Sequence, residues 1–295
     1  MAVHAHLDHW EGEGVTVSQV ERELAHLREA SAEEDNAPDL RTSVMTHMAW
    51  VPQEWLAAAT RTLEGLGERY PSRTIILVPD PDGEDRLDAE LELECFPLAE
   101  RHVCSEVIKL RLGGRRAAAP ASVIQPLLIA DLPAFLRWRG RPAFGDGVFD
   151  QLVEVVDRLI VDSSEWPDVP EAYRELAEFF GRTAVSDIAW GRSLEWRRAL
   201  AGRWPEIEDV GDLRVAGLFA DASLLAGWLR SRLGRNVKLV HDKADELEFV
   251  AVDGNQVTLP YPDERTPSDL LSEELDNFVR DPTYEEAARA ASTSS

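Results

Sequence analysis

The residues best suited to chemistry lie in four short stretches. The first is His4-Ala-His6-Leu-Asp8-His9, whose HxHxDH spacing is the metal signature of metallo-β-lactamase-like hydrolases. That fold places strands before the motif and further ligands after it. Here only three residues precede His4, and His26, His47, His102 and His241 sit in no matching motif. No metal site is therefore expected, and residues 1–14 are expected to pack loosely. On that reading their removal leaves the melting temperature unchanged within about a degree. The second stretch, Gly113-Gly114-Arg115-Arg116, lies between an expected strand and helix, where an anion could meet backbone N–H groups and two guanidiniums; a plain tight turn is the competing reading. The third is Arg137-Trp138-Arg139-Gly140-Arg141. In an extended chain its three arginines share one face and Trp138 takes the other, giving either a partner-binding stripe or a charged guard on an edge strand. The fourth is Asp187 to Arg198, with Trp190, Arg192 and Trp196. Arg192 and Trp196 are four residues apart, a spacing that allows a cation–π contact, against the alternative of a capped core helix.

No catalytic residues are assigned. Serine and histidine occur in no nucleophile motif, no glycine-rich phosphate loop is present, and no cofactor is implied. Cys95 and Cys104 form no CxxC pair, and they indicate neither a zinc site nor a disulfide framework. The formal net charge of −24 disfavours nucleic acid and anionic membrane as partners. Residues 1–40 carry 10 acidic and 2 basic side chains, residues 241–295 carry 14 and 4, and the centre is close to neutral. A molecule that docks by its middle and stays soluble by its ends fits that distribution. The N-terminal stretch lacks the basic and apolar regions of a signal peptide, and no apolar run approaches a bilayer span, so a cytoplasmic location is expected.

Periodicity and turn chemistry supply the elements that position these stretches. A helix is expected from Ser18, with Glu21 completing a capping box. Strands are expected at 41–51, 73–78, 87–96 and 103–112, the last two antiparallel with one wet face. Helices follow at 52–66 and after Gly114. QPLLIADLP (125–133) reads as a buried strand and FLRWRGR as its extended exit. A short helix near Phe149 then leads into the buried strand LIVD. Further on, helices are expected at 171–180, after Asp187 and after Asp221. Three strands at 237–259 follow, with Asp253-Gly254 a hairpin signal, and then a helix after Pro267 and a frayed tail. The fold class is α/β with two α/β domains, the first a mixed sheet with helices, the second a smaller α+β domain with a C-terminal antiparallel meander. The expected divisions are an acidic N-terminal extension with one helix (1–39), an N-terminal α/β domain (40–165), a C-terminal α+β domain (166–280) and a flexible tail (281–295).

Seven blocks in order, YPSRTIILVPDP, RLDAELELECF, SEVIKLRLGG, PLLIADLPAFLRWRG, RLIVDSSEW, SDIAWGRSLEWRRAL and LLAGWLRSRLG, resemble the glucose-6-phosphate dehydrogenase assembly protein (OpcA) family of actinobacteria and cyanobacteria. The resemblance covers residues 40 to 260. It implies a non-catalytic effector of glucose-6-phosphate dehydrogenase in the oxidative pentose phosphate pathway, with no catalytic residues to carry over. The alternative is a sugar-phosphate or nucleotide-binding domain with its own activity. As partner-binding anchors the expectation names Arg137, Trp138, Arg139, Trp190, Arg192 and Trp196, and as an anion site Arg115 and Arg116.

Overall fold

Two compact units make up the chain, Met1–Leu159 and Ile160–Ser295. The computed structural model describes residues 6–34, 43–63, 66, 72–98, 101–261 and 264–293. The first unit holds β1 (His6–Gly12), α1 (Val17–Glu34), β2 (Thr46–Trp50), α2 (Leu56–Leu63), β3 (Arg73–Asp80), β4 (Leu87–Leu98) and β5 (Arg101–Gly113). Short helices α3 (Arg115–Ala118) and α4 (Pro120–Ile124) follow, then β6 (Ala134–Trp138) and α5 (Gly147–Val153). Strand β7 (Arg158–Val161) contains the division between the units. The large sheet runs in the order β1-β4-β5-β3-β2-β6-β7-β8, where β8 is Ala184–Asp187. It is mixed: β5, β3, β2 and β6 are mutually parallel, while β4 is antiparallel to both β1 and β5.

Sequence pattern explains most of these strands. In β4, Leu87, Ala89, Leu91, Leu93 and Cys95 are buried while Asp88, Glu90, Glu92 and Glu94 reach solvent, which is the one-faced alternation expected. Strand β3 is buried along Arg73–Val78, as a β-branched run covered on both faces should be. Helix α2 covers one of those faces, where Ala59 packs on Ala49, Val51, Ile76 and Val78 under Trp55, Leu56 and Leu63. Full burial of a leucine such as Leu77 contributes about 1.5–3 kcal/mol.

Three expectations for this unit are corrected. Residues 6–12 are not loose: they form the edge strand β1, antiparallel to β4 from His6↔Cys95 to Gly12↔Ala89. The long β4 would otherwise present a row of unpaired backbone groups, and the Trp10 ring folds over Gly12, where a Cβ would collide with it. The cap of α1 is Thr16 with Gln19 rather than Ser18 with Glu21: Gln19 N donates to Thr16 Oγ1 at 3.3 Å and Thr16 N to Gln19 Oε1 at 2.8 Å. QPLLIADLP is not a strand. Residues Gln125–Leu127 form a 3₁₀ turn, Asp131 adopts a positive φ of 67°, and the central strand begins only after Pro133. A fourth correction concerns cysteine. Register places Cys95 directly opposite Cys104 with a Cα–Cα distance of 4.1 Å, and the two are disulfide-bonded. Cross-strand neighbours nine apart in sequence carry no framework pattern, so the pair was invisible without the register.

The second unit contains α6 (Val169–Leu176), β8, α7 (Ile188–Arg192), α8 (Leu194–Ala201), β9 (Asp212–Gly217), α9 (Phe219–Leu233), β10 (Lys238–Lys243), β11 (Phe249–Val252), β12 (Asn255–Val257), α10 (Pro267–Leu275) and α11 (Pro282–Ala291). Its small sheet is ordered β10-β9-β11-β12: β9, β11 and β12 are successively antiparallel, and β10 adds in parallel on the far side of β9. The Asp253-Gly254 hairpin has φ of 47° and 80°, as that dipeptide favours. The C-terminal stretch expected to fray is instead helix α11. Asp281 caps it by accepting from Thr283 N and Tyr284 N, and Tyr284, Ala287, Ala288 and Ala291 are buried. Gly227 of α9 has no side chain because a Cβ there would collide with Ala287 O, so small residues on both helices permit the close approach. Among the described residues no helix is long and apolar enough to cross a membrane.

Candidate functional site

Strand β6 decides the fate of the arginine stripe. It lies between β2 and β7 and is no edge strand. Arg137 is 3 % exposed and Trp138 4 % exposed, so neither is an outward-facing anchor. Trp138 stacks on Trp50 of β2 with centroids 5.1 Å apart and meets the edge of Phe149 at 5.0 Å. Arg137 donates to Trp138 O and lies against buried His47, whose pKa is pushed down to about 4 by burial and by the Arg137 charge. Only beyond the strand does the chain approach solvent. Arg139 N donates to Trp50 O at 3.0 Å, and its guanidinium lies 4.8 Å over the Trp55 ring. Gly140 has a φ of 75°, and a Cβ there would come within 3.2 Å of Trp55 Nε1, so glycine lets the turn pass beside the indole. Arg141 lies 5.7 Å over Phe144. Trp55, Arg139, Arg141 and Phe144 are all half-buried. They gather where the parallel strands β2 and β6 end, the position at which open α/β sheets present binding residues.

The Trp/Arg helix of the second unit is also more buried than expected. Trp190 and Trp196 are core residues. Arg192 makes ion pairs with Asp221 at 3.1 Å and Asp162 at 3.2 Å, so its charge serves carboxylates rather than Trp196. The cation over the Trp190 ring is Arg197, at 3.3 Å, and Trp190 Nε1 donates to Asp281 at 2.8 Å. Asp221, expected as a helix cap, instead spends its side chain on Arg192. Next to this cluster Asp187 caps α7 through Ala189 N and also accepts from Ser163 N, both at 3.0 Å. The hydroxyls of Tyr173 and Tyr284 point at its other oxygen from 3.4 and 3.3 Å.

Two buried carboxylates, Asp162 and Asp221, thus face one arginine, and Asp187 lies next to them among backbone N–H groups and tyrosine hydroxyls. Burial, followed by the Asp162 charge, pushes Asp187 up to about 7. Burial raises Asp221 to about 6 even against Arg192. Burial opposes the Arg192 charge, but Asp162 and Asp221 outweigh it and raise its pKa further. Sequence reasoning found Asp187 and Arg192. Asp221 was expected only as a helix cap, and Asp162, Tyr173 and Tyr284 were missed, because the partners lie up to 97 residues apart in the chain.

The remaining candidates divide plainly. The Arg115 side chain is 90 % exposed and its Nε donates to Asp85 at 2.7 Å, so an internal carboxylate already takes the place proposed for an anion; Arg116 is half-exposed. Of the HxHxDH stretch, His4 lies outside the described residues. His9 Nε2 is 3.4 Å from Glu11 Oε1 and 3.5 Å from Glu90 Oε1, and among the described residues these three alone could hold a metal ion together. Lys109 neutralises Glu90 from 2.8 Å, which weakens the group as a cation trap.

Comparison with known proteins bears on both units. Residues 64–178 match the family model described as glucose-6-phosphate dehydrogenase subunit N-terminal domain, and residues 183–288 match the corresponding C-terminal domain. Similar curated proteins are named OxPP cycle protein OpcA. That of Synechocystis sp. is 28 % identical over 55 % of this chain and 37 % of its own length. That of Nostoc punctiforme is 26 % identical over 68 % of this chain and 47 % of its own. The matched region therefore spans less than half the length of these relatives. No solved structure matches.

Proposed function

The chain belongs to the glucose-6-phosphate dehydrogenase assembly protein (OpcA) family, and on that premise we propose that it binds glucose-6-phosphate dehydrogenase and favours its active oligomer without chemistry of its own. The observation that carries this reading is the match of residues 64–178 and 183–288, in order, to the two domain models named for that enzyme. The absence of a nucleophile or cofactor motif from the sequence agrees with an effector. Such an effector works by binding one assembly state more tightly than another, since a ligand shifts an equilibrium only by its differential affinity. We place the contact at the C-terminal ends of β2 and β6, on Trp55, Arg139, Arg141 and Phe144. Aromatic rings and guanidiniums that are half-buried beforehand lose little entropy on docking, and such residues anchor interfaces. The oxidative pentose phosphate pathway and the cytoplasm are the setting this role implies.

The test is a titration of the purified chain into the dehydrogenase from the same organism. Dehydrogenase activity should rise to a plateau at a fixed ratio of the two, while the chain alone turns over no glucose 6-phosphate. Turnover with the dehydrogenase rigorously absent, or an unchanged rate at every ratio, contradicts the reading.

A further inference from the structure

The small sheet of the second unit ends in two unequal edges. Strand β12 closes one with three residues, Asn255–Val257, and β10 closes the other with six, Lys238–Lys243. A very short edge is a poor template for another strand, and a longer one is a good template. Strand β10 pairs in parallel with β9, from Lys238↔Asp212 to Lys243↔Gly217. Lys238 N donates to Gly211 O at 2.8 Å and Ala244 N to Gly217 O at 3.2 Å. The backbone groups of the even-numbered residues therefore point to β9, and those of Leu239, His241 and Lys243 point outwards. Among the described residues nothing bonds to the backbone of Leu239 or His241. The side chains of Lys238, Val240 and Asp242 share one face of the sheet, and Val240 is 37 % exposed. Asp212 and Arg214 of β9 lie on the same face, where Arg214 Nε donates to Asp242 Oδ2 at 2.6 Å, so two bases stand among two acids. His241 and Lys243 take the other face, and there His241 Nε2 is 2.8 Å from Gly217 O and its ring meets the edge of Phe219 at 5.2 Å. Asp245, Glu246 and Glu248 lie past the end of the strand.

We propose that β10 is a self-association edge, to which a second copy of this chain adds its own β10 antiparallel about a twofold axis, joining two small sheets into one. Outward-pointing backbone groups must meet outward-pointing ones, so only odd-numbered residues can form the hydrogen-bonded pairs. The register centred on Val240 then pairs Leu239 with His241 through the backbone. It sets Val240 against Val240 and Lys238 against Asp242, and the twofold repeats the ion pair on the other side of the axis. These are non-hydrogen-bonded pairs, whose side chains come closest together. Moving the centre one residue either way, to Leu239 or His241, sets Val240 against Lys238 or Asp242 and breaks both ion pairs. Lysines on an edge strand ordinarily deter pairing. Here Lys238 gains a carboxylate, and Lys243 falls opposite Val237, which lies outside the strand. The edge is thus complementary to itself, which is what a twofold contact requires. The inference uses residues of the second unit alone and does not depend on the dehydrogenase.

Sedimentation equilibrium of the purified chain over a wide range of concentration tests the proposal. The mass of wild type should rise from that of one chain to that of two and no further. Val240→Lys, Lys238→Asp and Asp242→Lys should each weaken self-association at least tenfold with unchanged circular dichroism spectra, since each sets like charges opposite one another at the axis or beside it. Mixing then reads the register. In an equimolar mixture of Lys238→Asp with Asp242→Lys, every cross-strand charge pair joins opposite signs again. A heterodimer should form there with close to wild-type affinity, which also shows that both variants are folded. Wild type that stays one chain at every concentration, a dimer unaffected by Val240→Lys, or folded charge variants that do not associate when mixed would overturn the proposal. So would a chain that is monomeric alone and loses dehydrogenase binding through Val240→Lys, since the edge would then take its strand from the dehydrogenase.

Discussion

Arg137 and Arg139 are two residues apart and do different work. Arg137 is sealed inside the large sheet beside His47, whereas Arg139 lies on a half-exposed tryptophan. Changing Trp55 and Arg139 together to alanine should weaken dehydrogenase binding by about 1–3 kcal/mol with the fold intact. Arg115→Ala should leave binding unchanged. Calorimetric titration of the three proteins checks this, and equal affinity for all would move the interface elsewhere. Asp187 gives a second test at this scale. Its folded pKa of about 7 lies above the ordinary carboxylate value, so its protonated form stabilises the second unit. That contribution is complete below pH ~4 and is lost as pH rises through about 7, with Asp221 acting in the same direction up to about 6. Stability should therefore fall between pH 5 and pH 8. Asp187→Asn keeps an acceptor for Ser163 N and Ala189 N and cannot ionise. It should flatten the slope and raise stability at pH 8 by up to about 4 kcal/mol. Denaturant midpoints at the two pH values measure it, and an unchanged slope would show that Asp187 is not the titrating group.

At the scale of elements, some of the fold was legible and some was not, for physical reasons. RTIILV and LDAELELE announce β3 and β4 because β-branched residues and strict alternation leave few other ways to bury the apolar side chains. HLDHWEG announces nothing, since its strand exists only to cover the edge of β4. The apolar content of QPLLIADLP suggests a buried strand, but the positive φ of Asp131 and the missing N–H of Pro133 break a ladder there, and the strand is AFLRW. Helix α11 reads as a tail in the sequence because its buried face is mostly alanine, which carries little hydrophobic signal yet fits against Gly227. The candidate site was legible in residue type only: Trp and Arg were found, but β2, whose end the Arg139 cluster shares, is far away in sequence. Strand β1 yields a direct prediction. Deleting residues 1–12 uncovers β4 and removes the Trp10 ring, so the melting temperature should fall by several degrees, about 2–4 kcal/mol, and the exposed edge should promote self-association. Differential scanning calorimetry with light scattering follows both. A shift within one degree would mean that β1 contributes nothing.

For the whole molecule, the charge of −24 and the family relation point the same way. A strongly acidic surface repels polyanions and so disfavours nucleic acid and anionic membrane as partners. The central claim is that binding favours the dehydrogenase oligomer over its subunit. Sedimentation velocity of the dehydrogenase, at a concentration where subunit and oligomer coexist, tests it most directly. Adding a saturating amount of this chain should convert the subunit boundary into a faster species containing both proteins. A subunit boundary that persists unchanged, or a complex formed with the isolated subunit that blocks its association, would contradict the account.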